Sequence, residues 1–327
     1  MMSNKIFNYM VCVVACLPLL MAGCAQLGGE AATMALKFTP QDSSTYKVVT
    51  ETERGIKFEG ALTKDSNLKG GSNRSRTEMI FTQQIQSVDD KSNAVAKIII
   101  DGLKYHSVVK GNTALDFDSS REKDKSNPMA KLIGKSYTIE IAPNGEVVKV
   151  IDVKQALAAV KGSSSASKVA SRLLSDSAVK KRHGILTLPA ADKNKLRKGD
   201  NWSSVKSFSF GMMGAKSYER IYTVEEIKDQ DDSRVAVVGM NAIPSSETAE
   251  QFKEQASMGI FSKMFDNSEI YTGRLKLNLS TGKVEKYTEK LQSNWVAVDP
   301  SIKQQADEGP AALKMNAVRF YSLEKID

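Results

Sequence analysis

The chain has two histidines, His106 and His183, and neither belongs to a His-x-x-x-His, Cys-x-x-Cys or His-Glu-x-x-His spacing. No segment therefore carries an ordinary zinc-ligand pattern. Asp116-Phe117-Asp118 opens like a calcium loop, but Arg121 stands where the loop needs glycine and Asn127 where it needs glutamate. Ser165 with Lys168, Ser177 with Lys180 and Ser203 with Lys206 each match Ser-x-x-Lys, a spacing at which lysine can assist loss of the serine proton. The companion Ser-Asp-Asn and Lys-Thr-Gly segments are missing, as is a Gly-x-Ser-x-Gly elbow. Asp89-Asp90 and Asp231-Asp232 could cleave a glycan only if they faced each other across a cleft. In their polar surroundings they read as turn formers. Gly70-Gly71 is not followed by the Gly-Lys-Ser/Thr of a phosphate loop. No metal, cofactor or catalytic residue is called for, and the expectation is a protein that is not an enzyme. An envelope hydrolase would need His106 or His183 to meet a carboxylate and a hydroxyl in one cleft.

The cysteines carry a sharper signal. Lys5 is the only charged residue before Cys24, and an apolar run from Tyr9 to Ala22 is interrupted only by Pro18. As a helix this run would span about 21 Å, short of the roughly 30 Å hydrocarbon core. A short run behind one cation is a secretory leader. It ends in Leu20-Met21-Ala22-Gly23-Cys24, which resembles the lipobox of bacterial lipoproteins, with Met21 where leucine is usual. The resemblance implies cleavage between Gly23 and Cys24 and a diacylglycerol thioether on Cys24. Cys12 and Cys16 would leave with the leader, so the mature chain keeps one cysteine and can form no internal disulfide. Two or more acyl chains anchor a protein stably. Ala25 stands where enteric lipoproteins retained at the inner membrane carry aspartate, which implies export to the outer membrane, facing the periplasm. Ala25 to Met34, with Gly28-Gly29 at its middle, reads as a flexible tether reaching at most about 33–36 Å.

Over 327 residues, 41% are hydrophobic and 26% charged, the balance of a folded domain. That excludes an intrinsically disordered chain and a multi-span membrane protein. Lys+Arg 46 against Asp+Glu 38 gives a net charge of +8, read first as ordinary solubility charge. A membrane is the first partner, through the N-terminal lipid. Envelope protein, lipid or wall polymer are the further classes, and export excludes nucleic acid.

The body that must position these residues is dominated by period-two alternation. It is seen in Tyr46, Val48 and Thr50, in Tyr137, Ile139 and Ile141, and in Leu275, Leu277 and Leu279, as in half-buried antiparallel strands. Pro143-Asn144-Gly145 and Thr281-Gly282 read as hairpin turns. Ala94 to Ile100 and Arg234 to Met240 are continuously apolar and predict central strands. Landmarks recur in order. Asp42 to Tyr46 corresponds to Gly199 to Trp202, and Ile80-Phe81-Thr82 to Ile221-Tyr222-Thr223. Asp89-Asp90 corresponds to Asp231-Asp232, and the Gly145 hairpin to the Gly282 hairpin. This order predicts a duplicated unit, with Tyr46 and Trp202 as matching core anchors. Helical patterns are expected over Asp152 to Lys161, Ser165 to Arg182 and Thr248 to Phe265, the last with a stripe of Phe252, Ala256, Ile260 and Met264. The run Lys180-Lys181-Arg182-His183 is expected to be a solvated face, and Met212-Met213 to be a flexible loop between strands.

The expected fold class is α+β, β-dominated, with duplicated curved antiparallel sheet units and a few packing helices. The divisions are a leader (1–23), a tether (24–34), a first unit (35–162), a helical and basic connector (163–196) and a second unit (197–327). Leu132-Ile133-Gly134-Lys135, Leu186-Thr187-Leu188-Pro189 and Gly199-Asp200-Asn201-Trp202 give residues 36 to 327 a resemblance to a family of uncharacterised bacterial envelope lipoproteins. That family has no assigned activity and supplies no catalytic residue. The layout also resembles the open curved sheets of lipoprotein carriers. The functional expectation is a lipid-anchored envelope protein with a binding or scaffolding role, or a carrier of an apolar ligand if the sheet leaves a cavity of about 300–1,000 Å³. Cys24→Ser is expected to abolish both incorporation of a fatty-acid analogue and processing after Gly23. Equal labelling of wild type and variant in growing cells would rule the anchor out.

Overall fold

The computed structural model describes residues 30–64, 69–185, 187–230, 232–247, 265–298 and 311–327. Gly23 and Cys24, and the stripe of Phe252, Ala256, Ile260 and Met264, lie outside them. The expected alternation becomes strands, β2 (Ser43–Glu59), β3 (Gly71–Val88), β4 (Ala94–Val109), β5 (Asn112–Asp118), β6 (Ser136–Ile141) and β7 (Val147–Asp152), with every second residue buried along β6 and along parts of β2, β3 and β4. The second half adds β9 (Asn201–Ser209), β10 (Ala215–Gln230), β11 (Ser233–Ser245), β12 (Asp266–Asn278), β13 (Lys283–Val298) and β14 (Ala312–Lys325). These twelve form one antiparallel sheet in the order β7-β6-β4-β3-β2-β14-β13-β12-β11-β10-β9, with β5 also on β4. The fold is β-dominated α+β.

Both halves are meanders, and they join where β14 pairs with β2. The landmarks match in detail. Tyr46 stacks on its register partner Phe81 and Trp202 on its register partner Tyr222, with centroids 5.7 and 5.3 Å apart. Asp42 O accepts from Ile85 N at 2.9 Å while Gln41 N donates to Ile85 O; Asp200 O and Gly199 N repeat this pattern with Val224. Gly145 and Gly282 both turn their hairpins at positive φ (81° and 67°), a conformation glycine adopts without a Cβ penalty. Each is also crossed by another segment, because Ile185 N donates to Gly145 O at 2.8 Å and Lys37 N to Gly282 O at 3.2 Å.

The sheet is strongly rolled. Register puts Val48 and Arg54 on one face with Leu323 and Ala317 of β14. Through Tyr321 and Glu289, that face continues to Tyr271, Met240, Tyr222 and Lys206 on the successive strands. Laid flat, β9 and β13 would be four spacings apart, about 19 Å. Yet Lys206 on β9 bonds the Glu289 carboxylate on β13. Arg54 on β2 and Arg319 on β14 both donate to the carbonyl of Ser209 on β9, at 3.1 and 2.8 Å. These contacts require the edge strand β9 to return over β14 and β2 with the common face inside.

Aromatic rings fill the roll. Phe208 lies 5.7 Å from Tyr271, Phe210 lies 5.2 Å from Trp295, and Tyr218 lies 5.6 Å from Tyr271. At the centre Glu289 accepts from Tyr271 at 3.0 Å and Tyr287 at 2.8 Å, with Arg220 Nη1 at 3.6 Å. Burial pushes the Glu289 carboxyl up, but the Lys206 and Arg220 charges outweigh it and hold it below the usual carboxylate range. Burial and that same carboxylate push the Tyr287 phenol well up, so it stays a donor.

The first half is covered by three helices, α1 (Lys154–Ala159), α2 (Ser165–Leu173) and α3 (Asp176–His183). Their buried Ala156, Ala170 and Val179, with Leu174 just past the end of α2, join the core around Phe81, Ile98, Leu132 and Tyr137. Several expectations change. Ser165 to Arg182 is two helices, because Ser175 caps α3 by accepting from Ala178 N at 3.3 Å. Asp152 accepts from Lys154 N, yet α1 begins after Val153 and ends at Ala159. The run 180–183 is a solvated face only in its first half: Lys181 is exposed, whereas Arg182 and His183 are each only 5% exposed. Met213 is likewise buried, in a 3-10 turn Gly211–Met213, rather than at a free tip. Asp89 does form the expected turn, accepting from the Lys91 and Asn93 amides at 2.9 and 2.7 Å. At the N-terminal end, β1 (Ala32–Thr33) pairs with β8 (Lys195–Leu196), and Met34 is fully buried, so packing already begins within the stretch read as a tether.

Glu289→Gln would leave Lys206 and Arg220 without their anion. The variant is expected to lose about 3–5 kcal/mol in urea unfolding, whereas a loss below about 1 kcal/mol would mean that both cations reach water.

Candidate functional site

Beside the rolled half, the inner face of β2, β3, β4 and β14 is not filled. A groove of about 550 Å³ lies between it and α2. Val169 and Leu173 of α2, with Leu115 of β5 and Tyr105 of β4, form its apolar wall. Its floor is polar: Thr52 Oγ1 and Ser75 Oγ are 2.8 Å apart, and Asn73, Thr77 and Ser107 lie on the same face. Arg54, Arg74, Arg172 and Arg319 border the groove from β2, β3, α2 and β14, Arg74 being held by Glu51 at 2.8 Å. The groove is therefore amphipathic rather than wholly apolar. α2 can stand above the sheet because Ser164 caps it, accepting from Ser167 N at 3.1 Å. Arg182 Nη2 ties its last turn by donating to Leu173 O at 2.6 Å.

Next to the groove the first-half core holds a buried polar knot. Tyr137 Oη and His183 Nε2 are 2.6 Å apart, Arg182 Nη1 donates to Tyr137 Oη at 3.2 Å, and Tyr321 Oη donates to Arg182 O at 2.8 Å. Phe81 meets the His183 ring edge-on at 4.6 Å. Burial, reinforced by the Arg182 charge, lowers the His183 pKa well below 6.5 and keeps the imidazole neutral. His183 also borders a small cavity of about 40 Å³, with room for a water or two.

The residues singled out from the sequence do not converge. His106 Nδ1 meets Asp116 Oδ1 at 3.3 Å on the exposed surface, where Arg121 also holds Asp116, at 2.6 Å. His183 meets a phenol. Among the described residues neither histidine faces both a carboxylate and a hydroxyl. Among them, too, no three His, Cys, Asp or Glu side chains gather closely enough for a metal ion. Lys168, Lys180 and Lys206 point to different surroundings: Lys180 pairs with Asp176, and Lys206 with Glu289. The groove arginines were not singled out. Arg54 sits at an inward position of β2 by simple alternation from Tyr46, and that was the available signal. No helix among the described residues is long and apolar enough to cross a membrane.

A family model described as a family of unknown function, DUF6263, matches residues 91–284. No curated protein sequence matches the chain. Among solved structures, lipovitellin, presented for its lipid–protein interactions, aligns over 89% of this chain at 11% identity and a TM-score of 0.42. The chain spans only 26% of that lipovitellin chain. DynF from the dynemicin biosynthesis pathway of Micromonospora chersina aligns over 95% of this chain and 93% of its own, at 6% identity and a TM-score of 0.20. OccK2 (OpdF) of Pseudomonas aeruginosa aligns over 88% and 98%, at 8% identity and a TM-score of 0.21. At these scores no shared fold is assigned.

The His183 environment sets a pH dependence. The unfolded chain binds a proton on this ring below about pH 6.5 while the folded chain does not. Stability is therefore full above about pH 6.5 and falls on acidification by up to about 1.4 kcal/mol per pH unit. Urea midpoints measured between pH 7.5 and 5 should fall accordingly, and His183→Gln should flatten that slope. An unchanged slope in the variant would assign the dependence elsewhere.

Proposed function

We propose that this chain, which belongs to the DUF6263 family of unknown function, is a non-catalytic binding protein of the bacterial cell envelope that holds an apolar or amphiphilic guest in its sheet–helix groove. One observation carries the reading: the groove of about 550 Å³ beside α2, within the roughly 300–1,000 Å³ of small-molecule sites. A close-packed core at this place would have left no room for a guest. Instead the packed core lies on either side, around Phe81 and Ile98 and around Tyr271 and Trp295.

In this proposal the lipid on Cys24 anchors the body at the outer membrane, facing the periplasm. Anchoring confines the protein to the surface from which a lipid, envelope protein or wall polymer would be met, and confinement raises effective concentration. His106 and His183 have structural roles: one in a surface ion pair, the other as a neutral partner in the core.

The test uses the chain carrying Cys24→Ser, which takes no lipid of its own. Titration with the neutral fluorophore N-phenyl-1-naphthylamine should give saturable, blue-shifted emission. Val169→Asp, which sets a carboxylate on the apolar wall, should weaken binding by about tenfold or more with the circular dichroism spectrum retained. Absence of saturable binding by the unsubstituted groove would sink the reading.

A further inference from the structure

We propose that Arg54, Arg172 and Arg319 form a clamp that selects guests with an anionic phosphate headgroup, the apolar chain lying along α2. This rests on the groove being a guest site and adds the class of guest.

Charge pairing carries the inference. Other arginines are matched by carboxylates: Arg74, which also borders the groove, and Arg76 by Glu51, Arg121 by Asp116 and Asp124, Arg274 by Glu225. The other three groove arginines, Arg54, Arg172 and Arg319, have no carboxylate partner among the described residues. Arg54 and Arg319 use one donor each on the same Ser209 carbonyl, and Arg172 stands exposed on α2. The one acid bordering the groove, Glu53, pairs in register with Arg74 on the opposite face, so its charge is directed away. Two guanidiniums sharing one neutral acceptor repel each other, and burial together with the Arg54 charge lowers the Arg319 pKa. An anion between them would relieve that repulsion. The planar guanidinium fork suits phosphate oxygens, two at a time. The hydroxyls of Thr52, Ser75 and Ser107 add neutral donors beside the cations. Val169 and Leu173 line the same groove as these charges, so one molecule must present both an anionic head and an alkyl chain to use the whole groove.

The chain with Cys24→Ser is titrated calorimetrically, below micellar concentrations, with dodecyl phosphate, with dodecyl maltoside and with inorganic phosphate. Dodecyl phosphate is expected to bind at least about tenfold more tightly than either of the others, since charge-assisted bonds add roughly that much. Arg172→Gln should cut the phosphate-over-maltoside preference severalfold. Lys181→Gln, which removes an equal charge from the exposed side of α3, should leave that preference intact. Equal binding of the two dodecyl ligands would overturn the clamp while leaving a guest groove. Inorganic phosphate binding as tightly as dodecyl phosphate would overturn it in favour of a simple anion site. No binding of any of the three, with no uptake of the neutral fluorophore, would remove the groove reading as well.

Discussion

Two guanidinium groups reaching one backbone carbonyl decide the shape of this molecule. Hydrogen bonds between neighbouring strands set the order of the sheet but not how far it rolls, since a ladder is satisfied at many curvatures. Arg54 and Arg319 at Ser209 fix the amount, because they join strands that the ladder keeps far apart. With β9 held there, the second half encloses its own aromatic core. The first half, which has no such return, needs α1, α2 and α3 as cover. The groove is the seam between a half closed by itself and a half closed by helices.

Inside the roll, Glu289 links the two walls. A buried carboxylate between lysine, arginine and two phenols is not an inexpensive way to fill a core, and hydrophobic residues of similar volume often serve as well or better. Directional donors, however, permit few alternative registers, whereas an all-aromatic interior would tolerate sliding of β9 over β13. Gly273 lies directly opposite Glu289 in register, and a Cβ there would crowd Thr288 O and Met240 Cε.

Much of the strand framework was legible because it follows local rules. Alternation around Tyr46, Tyr137 and Leu275 located strands, and glycine at 145 and 282 located hairpins, each from a few neighbouring residues. The roll was not legible, because its deciding contacts join residues far apart in sequence, such as Lys206 with Glu289 and Arg54 with Ser209, and single charges carry no periodicity. The basic run on α3 was misread for a different reason. Counting charges hid the fact that Val179, Arg182 and His183 fall at helical spacings of three and four, on one face, which is the face that packs. The break between α2 and α3 had a local sign in Ser175-Asp176, a cap followed by an acid, that the apolar pattern of Val169, Leu173 and Leu174 overrode. Arg54, Arg172 and Arg319 come from three separate elements, so their convergence at the groove belongs to the tertiary structure alone.

The first packed residues form a strap across the molecule. Thr33 pairs with Lys195, Leu36 N donates to Pro143 O at 2.8 Å, and Lys37 N donates to Gly282 O at 3.2 Å. One short stretch thus touches the connector and the tips of both late hairpins. A pull on the N-terminal end would be shared among three attachment points instead of peeling one strand from an edge. Load entering there would reach the connector and both halves of the sheet at once.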